Sequence, residues 1–268
     1  MSFVNNRLFR ERIFYNALGG LVLIIIFGWV LFWWTEKGQS STSVSINKPC
    51  IAIVIDDFGY RNDHIVDGFL SLEVPMSYAV IPGHNYSSDF AREAHSKGFE
   101  ILIHMPMESH EKPERVEPLI LTSSMNSFEI ENAILAAFHE IPEAVGMNNH
   151  QGSKATEIDW MMNIVGGILK RENLYFLDSR TSPHTKAEET IKKNQVKTGH
   201  RNIFLDNKEE RNYIENQLKK IAALAKAQGF AIGIGHAKEL TLEVLEKKIP
   251  ELLKNGYHFC LVSEVLDK

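Results

Sequence analysis

The stretch I-A-I-V-I-D-D-F-G at residues 51–59 leads an apolar run directly into two adjacent carboxylates, Asp56 and Asp57. A continuous apolar run of this length is typical of a parallel strand covered on both faces. Burying two carboxylates without partners is costly, so we expect a functional site at the end of this strand. Neighbouring side chains on an extended backbone point to opposite sides, so the two carboxylates can have different roles.

Short apolar runs alternate with helical patterns from residue 49 onward, and this alternation predicts βα units. Seven or eight such units in about 220 residues favour an α/β fold, an irregular (β/α)7-8 barrel, over an open doubly wound sheet. The predicted strands are 51–55, 76–80, 100–104, 145–149, 175–178, 202–205, 230–234 and 257–262. The predicted helices are 88–97, 127–139, 157–170, 208–228 and 240–255.

The chain before this domain has a different composition. Residues 17–34 are apolar and uncharged, which predicts a single N-terminal transmembrane helix, with a cleaved signal peptide as the alternative. Three arginines in residues 1–16 predict a cytoplasmic N-terminus. Residues 35–48 are polar and Ser-rich and predict a flexible tether. The barrel domain, 49–268, is therefore expected in the periplasm or another extracytoplasmic space, anchored to the membrane.

Charge and cysteine content narrow the function classes. The net charge of -5 and the pI of about 6.1 argue against a nucleic-acid partner, which requires a clustered basic face. Cys50 and Cys260 lie in the first and last predicted strands, which are neighbours if the sheet closes. A disulfide and two buried free thiols are both compatible with this placement, and we favour free thiols.

Unusual polar residues cluster at the ends of the predicted strands. In a parallel barrel these ends meet at one rim, where catalytic groups lie. One carboxylate of the Asp56 and Asp57 pair, together with the imidazoles of His104 and His150, suits a divalent metal, most readily zinc, with positions left open. Such a metal polarises a carbonyl and lowers the pKa of water. The other carboxylate is then placed to take a proton from the water, and His236 to protonate the leaving group.

Six ordered motifs resemble those of the divergent polysaccharide deacetylases, relatives of chitooligosaccharide and peptidoglycan deacetylases, from Cys50 to the C-terminus. They are I-D-D-F-G at 55–59, I-H-M-P-M-E at 103–108, M-N-N-H-Q-G-S at 147–153, F-L-D-S-R-T at 176–181, F-L-D-N at 204–207 and I-G-H at 234–236. The resemblance implies that Asp56 is the base, Asp57 a metal ligand and His236 the acid. It also implies that Arg180 holds the base and that Asp206 orients His236.

One departure from the family pattern concerns the second imidazole. Typical deacetylases take two metal histidines from one H-x-x-x-H motif, whereas position 108 here is Glu. His150 is the expected replacement, and Glu108 is the competing ligand. Pro106 disfavours a helical pairing of Glu108 with His104.

The function expected from these residues is metal-dependent deacetylation of an N- or O-acetylated carbohydrate of the cell envelope. His84, Asn149 and Asp178 lie at the predicted rim and are expected to contact that substrate. The proline-containing segment 105–126 has no clear element of its own, and loops of this length are usually functional. Two alternatives stay open: a non-catalytic glycan-binding or scaffold domain on the same fold, and a glycoside hydrolase.

Overall fold

The computed structural model describes residues 48–112, 115 and 117–266, which form one sheet of nine parallel strands covered by helices. The strands are β1 (Cys50–Phe58), β2 (Ser77–Val80), β3 (Glu100–Met107), β4 (Ala144–Gln151), β5 (Tyr175–Asp178), β6 (Thr198–His200), β7 (Ile203–Phe204), β8 (Phe230–His236) and β9 (His258–Cys260). The α-helices are α1 (His64–Leu70), α2 (Ser87–Ser96), α3 (Ser127–Glu140), α4 (Asp159–Arg171), α5 (Ala187–Lys193), α6 (Arg211–Gln228), α7 (Glu239–Lys254) and α8 (Val262–Val265).

The strand order is β6-β5-β4-β3-β2-β1-β8-β7, and β9 pairs with the first residues of β1. The strands at the two ends of this order, β6 and β7, follow each other in the chain and are joined by only two residues, Arg201 and Asn202. The Arg201 N–H donates to the Asp178 carbonyl at one end of the sheet, and the Asn202 N–H donates to the Ile232 carbonyl in β8. The sheet is therefore curled, as expected for an irregular (β/α) barrel.

Side chains of β1 alternate between two apolar layers. Ile51, Ile53 and Ile55 pack in the large cluster that includes helix residues, whereas Ala52 and Val54 lie in a smaller cluster made mainly of strand residues. This alternation follows from the period of two along a strand. The smaller cluster marks the inner side of the curled sheet, so the face to which a strand residue points depends on its position in the strand.

Several strands are longer than the apolar pattern predicts. β1 continues through Asp56 and Asp57, β3 continues past His104, and β4 continues past His150. Their polar ends remain in register with neighbouring strands, for example with His104 opposite Asn148. The short β6 and helices α1, α5 and α8 were not predicted.

Cys50 and Cys260 form a disulfide. The parallel register of β1 and β9 aligns Ala52 with Cys260 and brings the two cysteine Cα atoms to 6.1 Å, within the usual range for a disulfide. The preference for free thiols was therefore wrong. It failed because side-chain burial alone does not reveal the register of the first and last strands.

The predicted membrane helix, 17–34, and most of the tether lie outside the described residues. Within the described ranges, no helix is both long and apolar enough to cross a membrane.

Candidate metal and catalytic site

The site continues the inner face of the sheet beyond its apolar part. In β3 the inner side chain of Leu102 is followed two residues later by His104, and in β8 the inner Ile234 is followed by His236. Strand alternation places these polar side chains above the inner apolar cluster. The polar residues in the inner positions are Asp56, His104, Asn148, His150 and His236.

Asp57, His104 and His150 converge as predicted. Their candidate ligand atoms all lie within 4.8 Å of one another. Asp57 Oδ1 is 3.2 Å from His150 Nδ1 and 3.4 Å from His104 Nε2, and the two ring nitrogens are 3.1 Å apart. Asp57 Oδ1 is buried and has no hydrogen-bond partner among the described residues. A carboxylate and two imidazoles with an orphaned oxygen fit a divalent cation such as zinc.

An unusual backbone conformation turns Asp57 toward this group. Asp57 has φ 72°, and the β1–β2 register shifts between Ile55 and Phe58. A left-handed conformation in a non-glycine residue is strained and persists where the surrounding structure demands it. Gly59 follows at φ 116°, where a Cβ would meet Ser87 Oγ at 2.7 Å. The bulge explains how two adjacent carboxylates reach the same site despite strand alternation.

Asn148 links the predicted base to a predicted metal ligand. It is fully buried, its Nδ2 donates to Asp56 Oδ1 at 2.9 Å, and its Oδ1 lies 2.7 Å from His104 Nδ1. Because the amide oxygen can only accept, Nδ1 carries a ring proton and donates it to Asn148, which leaves Nε2 facing Asp57 as the candidate ligand atom. Metal-binding histidines are commonly oriented by such an acceptor. Sequence reasoning missed Asn148, although its position in M-N-N-H-Q-G-S, two residues before His150, places it on the same strand face.

The electrostatics of the site distinguish the two carboxylates. Burial raises the pKa of Asp56, although His104 and His236 oppose this shift. Burial also tends to raise the pKa of Asp57, but contacts with His104 and His150 outweigh it and hold that pKa well below its usual range. Asp57 therefore stays anionic, as a metal ligand must, while Asp56 has a greater tendency to hold a proton.

His236 is held by Asp206, as the family resemblance implied. Asp206 is buried, and its carboxylate accepts from the His236 ring Nδ1 and from the His236 backbone N–H, both at 2.8 Å. Thr241 donates to the same carboxylate at 2.7 Å. Burial lowers the pKa of His236, but the hydrogen bond and charge of Asp206 outweigh this effect and raise it to about 9. His236 is therefore protonated at neutral pH and able to donate a proton from Nε2.

Glu108 lies outside the group of candidate metal ligands and is engaged elsewhere. Its carboxylate forms an ion pair with Lys154 at 2.7 Å and accepts from the Ser123 N–H at 2.6 Å. Burial tends to raise its pKa, but Lys154 and Ser123 lower it to about 2. The choice of His150 over Glu108 as the third member of the group agrees with this geometry.

The expected contact between Arg180 and Asp56 is contradicted. Arg180 has φ 48°, and its guanidinium pairs with Glu188 at 3.3 Å. Burial lowers the pKa of Arg201 to about 10, and the charges of Asp178 and, to a smaller extent, Asp56 oppose this shift. The prediction failed because the left-handed turn directs Arg180 away from Asp56.

The three predicted substrate contacts lie in different surroundings. Asn149 and Asp178 are buried and hold the loops after β4 and β5, which argues against a substrate contact for either. Asn149 accepts from the Ser179 N–H, and Asp178 accepts from Thr185 and the Arg180 N–H. His84 remains partly exposed and binds Glu117 at 2.7 Å, so its contact with substrate stays a prediction.

The structure defines the class of protein as an α/β fold with a curled parallel sheet and a carboxylate and histidine site at the strand ends. Residues 53–266 match the sequence model of the family described as "Divergent polysaccharide deacetylase". The chain belongs to this family, as its motifs indicated.

The proteins similar to this chain include two relatives and a solved structure. The uncharacterized protein YibQ of Escherichia coli K12 is 40% identical over 75% of this chain. An uncharacterized protein of Haemophilus influenzae is 35% identical over 78% of it. The matches span 63% and 75% of those two proteins, so the first relative extends well beyond the shared region. The crystal structure of the uncharacterized ATU2773 from Agrobacterium tumefaciens, 20% identical, has a TM-score of 0.75 and covers 81% of this chain and 89% of that one. At this identity the similarity concerns the fold alone.

Proposed function

We propose that this protein is a metal-dependent hydrolase that removes acetyl groups from an N- or O-acetylated carbohydrate of the cell envelope. The observation that supports it most directly is the convergence of Asp57, His104 and His150 beside Asp56, with the unpartnered oxygen of Asp57 in their midst. Membership of the divergent polysaccharide deacetylase family supports the carbohydrate class of substrate.

Each polar residue of the site has a role in this reaction. A divalent ion bound by Asp57, His104 and His150 would polarise the acyl carbonyl and acidify a water molecule. Asp56 accepts the proton of the attacking water; Asn148 occupies its Oδ1, which leaves Oδ2 for the proton. His236 donates a proton to the departing nitrogen or oxygen, and Asp206 stabilises its charged form. The products are acetate and the free amine or hydroxyl of the sugar.

We further propose that the domain works outside the cytoplasm, anchored by the predicted helix 17–34. The Cys50–Cys260 disulfide supports this location, because such bonds form and persist mainly in oxidising compartments. An envelope glycan is accessible from that side of the membrane.

The test measures acetate released from N-acetylated and O-acetylated oligosaccharides by purified protein, before and after zinc is removed and restored. Asp56→Asn is expected to lower kcat at least about 100-fold, in the range typical for loss of a general base. Asp89→Asn is the matched control, since Asp89 is an exposed helix residue paired with Arg92. Full activity in Asp56→Asn, or acetate release that is independent of metal, would contradict the proposal.

The same experiment separates the two alternatives. Glycan binding that survives metal removal without turnover would favour a non-catalytic glycan-binding or scaffold domain. New reducing ends without acetate would favour a glycoside hydrolase, but such enzymes place two carboxylates on opposite sides of the scissile bond, whereas Asp56 and Asp57 are adjacent.

A further inference from the structure

A cation lies beside the candidate acid, at the point where the curled sheet closes. Arg201 follows β6, and its Cζ is 3.6 Å from the centre of the Phe204 ring in β7. The Phe204 ring in turn stacks on the His236 imidazole, with the ring centres 5.9 Å apart and the planes 18° apart. Phe204 also packs against the inner apolar cluster. The guanidinium therefore belongs to the wall of the site, one aromatic ring away from His236.

Only one edge of the Arg201 guanidinium is occupied by the protein. Its Nε donates to the Ser179 carbonyl at 2.7 Å, and its Nη2 donates to the Arg180 carbonyl at 2.9 Å. These two nitrogens lie along the same edge of the planar group. The other edge, formed by Nη1 and the second N–H of Nη2, has no hydrogen-bond partner among the described residues. Two parallel N–H donors are therefore available.

The charge of Arg201 also lacks a close partner. No described carboxylate forms an ion pair with it. Burial lowers its pKa to about 10, and the charges of Asp178 and Asp56 oppose this shift without reaching ion-pair distance. Taking a cation out of water is costly unless an anion compensates for the lost hydration. A bound anion would supply that compensation.

Ser179 Oγ is a second unsatisfied group at the same place. Ser179 is 1% exposed, and its Oγ is buried without a hydrogen-bond partner among the described residues. It lies two residues after Leu177 of the inner cluster, so strand alternation directs its side chain to the inner side. The register of β5 and β6 pairs Leu177 with Gly199, and its continuation places Arg201 opposite Ser179. A buried hydroxyl without a partner is unfavourable, which indicates a ligand atom at this position.

We propose that Arg201 and Ser179 bind a carboxylate group of the substrate. The inference rests on the proposed function and adds the substrate class: an acidic sugar rather than a neutral one. The free edge of the guanidinium matches the two oxygens of a planar carboxylate, and Ser179 Oγ supplies a further hydrogen bond. Arg201 lies on the side of His236, which protonates the leaving group, so the carboxylate belongs to the sugar and not to the acetyl group.

The first experiment compares kcat/KM for acetate release from three sugars by the zinc-loaded protein. N-acetylglucosamine is neutral, N-acetylglucosaminuronic acid carries a carboxylate on the ring, and N-acetylmuramic acid carries one on an ether substituent. At least one acid should exceed the neutral sugar by about tenfold or more, because hydrogen bonds between charged groups are gained. The preferred acid then identifies the position of the carboxylate. Equal values for all three sugars would overturn the anion site and leave the deacetylase proposal intact.

Two variants test the residues through the ratio of acidic to neutral substrate, which is insensitive to a general loss of activity. Arg201→Lys keeps the charge but loses the planar pair of donors, so it should remove most of the preference. Ser179→Ala removes a hydroxyl that has no partner in the described protein, and it should lower the ratio about threefold or more. Arg171→Lys, an exposed arginine paired with Glu131, and Thr198→Val, which removes another unpartnered hydroxyl, are the matched controls.

Calorimetry on the metal-depleted protein separates this inference from the proposed function. The preferred acid should bind about tenfold or more tightly than N-acetylglucosamine, and Arg201→Lys should abolish most of the difference. A wild-type preference in both Arg201→Lys and Ser179→Ala would overturn the anion site. Conversely, an Arg201-dependent preference for the acid without acetate release from any of the three sugars would remove the deacetylase activity and retain the anion site.

Discussion

Replacing Asp206 with Asn should lower the pKa of His236 from about 9 toward its ordinary value of 6.5. The amide keeps the shape of the side chain and one acceptor but removes the negative charge. That charge, with the hydrogen bond at 2.8 Å, is the main influence that overcomes the burial of His236. Asp56 and Asp57 contribute less to the same shift and remain in the variant.

The size of the effect follows from the shift itself. A net shift of about 2.5 pH units corresponds to about 3.4 kcal/mol of preference for the protonated imidazole, which is what remains after burial has opposed the contributions of Asp206, Asp57 and Asp56. The folded-state pKa is raised, so this stabilisation is fully present below pH 6.5 and is lost as the pH rises toward 9. The free energy of unfolding of the metal-free protein should therefore fall over that interval, and less steeply in Asp206→Asn.

The assay is an NMR titration of the His236 ring in the metal-free protein, with urea unfolding at several pH values alongside. Thr241→Val is the control, since it removes a hydroxyl that donates to Asp206 and keeps the carboxylate, so the pKa of His236 should remain well above 6.5. An unchanged pKa in Asp206→Asn, or a wild-type pKa at or below 6.5, would refute the reasoning.

Three further predictions concern the metal group, its support and the disulfide. His150→Ala should weaken zinc binding, measured by calorimetry, at least about 100-fold because it removes a candidate ligand, whereas Glu108→Gln should change zinc binding little. The reverse result would make Glu108 the ligand. Asn148→Leu leaves Asp56 and His104 without their buried hydrogen-bond partner, so zinc affinity should fall about 10- to 100-fold and the free energy of unfolding should fall by about 1–3 kcal/mol. Wild-type zinc affinity in this variant would show that Asn148 does not orient His104 for metal binding. Replacing Cys50 and Cys260 with Ser should lower the free energy of unfolding in urea by about 2–5 kcal/mol, since the disulfide joins residues that are 210 positions apart in the chain. An unchanged midpoint of urea unfolding would show that the disulfide adds no stability.

The convergence of Asp57, His104 and His150 was predictable because each residue lies at or just beyond the end of a predicted strand. Parallel strands then bring their carboxyl ends together without any knowledge of individual contacts. The pairing of His236 with Asp206 also agreed with prediction, because β7 and β8 are neighbours and both residues lie at their ends.

Contacts that depend on loop conformation were not predictable in this way. Arg180 was expected beside Asp56 but pairs with Glu188, because a left-handed backbone turn directs it elsewhere. Asn149 was expected in the substrate site but braces the next loop, while its neighbour Asn148 supports the site. A shift of one residue along a strand moves a side chain from the inner to the outer face of the sheet. Motif matching alone does not show on which face a residue lies.

The sequence by itself determined that the chain folds into βα units and that its carboxylates and histidines lie at the ends of parallel strands. These properties follow from local periodicity. Only the tertiary structure decided that Cys50 bonds Cys260 and that Asn148 joins Asp56 to His104. Each of these depends on strand register or loop conformation, which is set by packing between residues far apart in the chain.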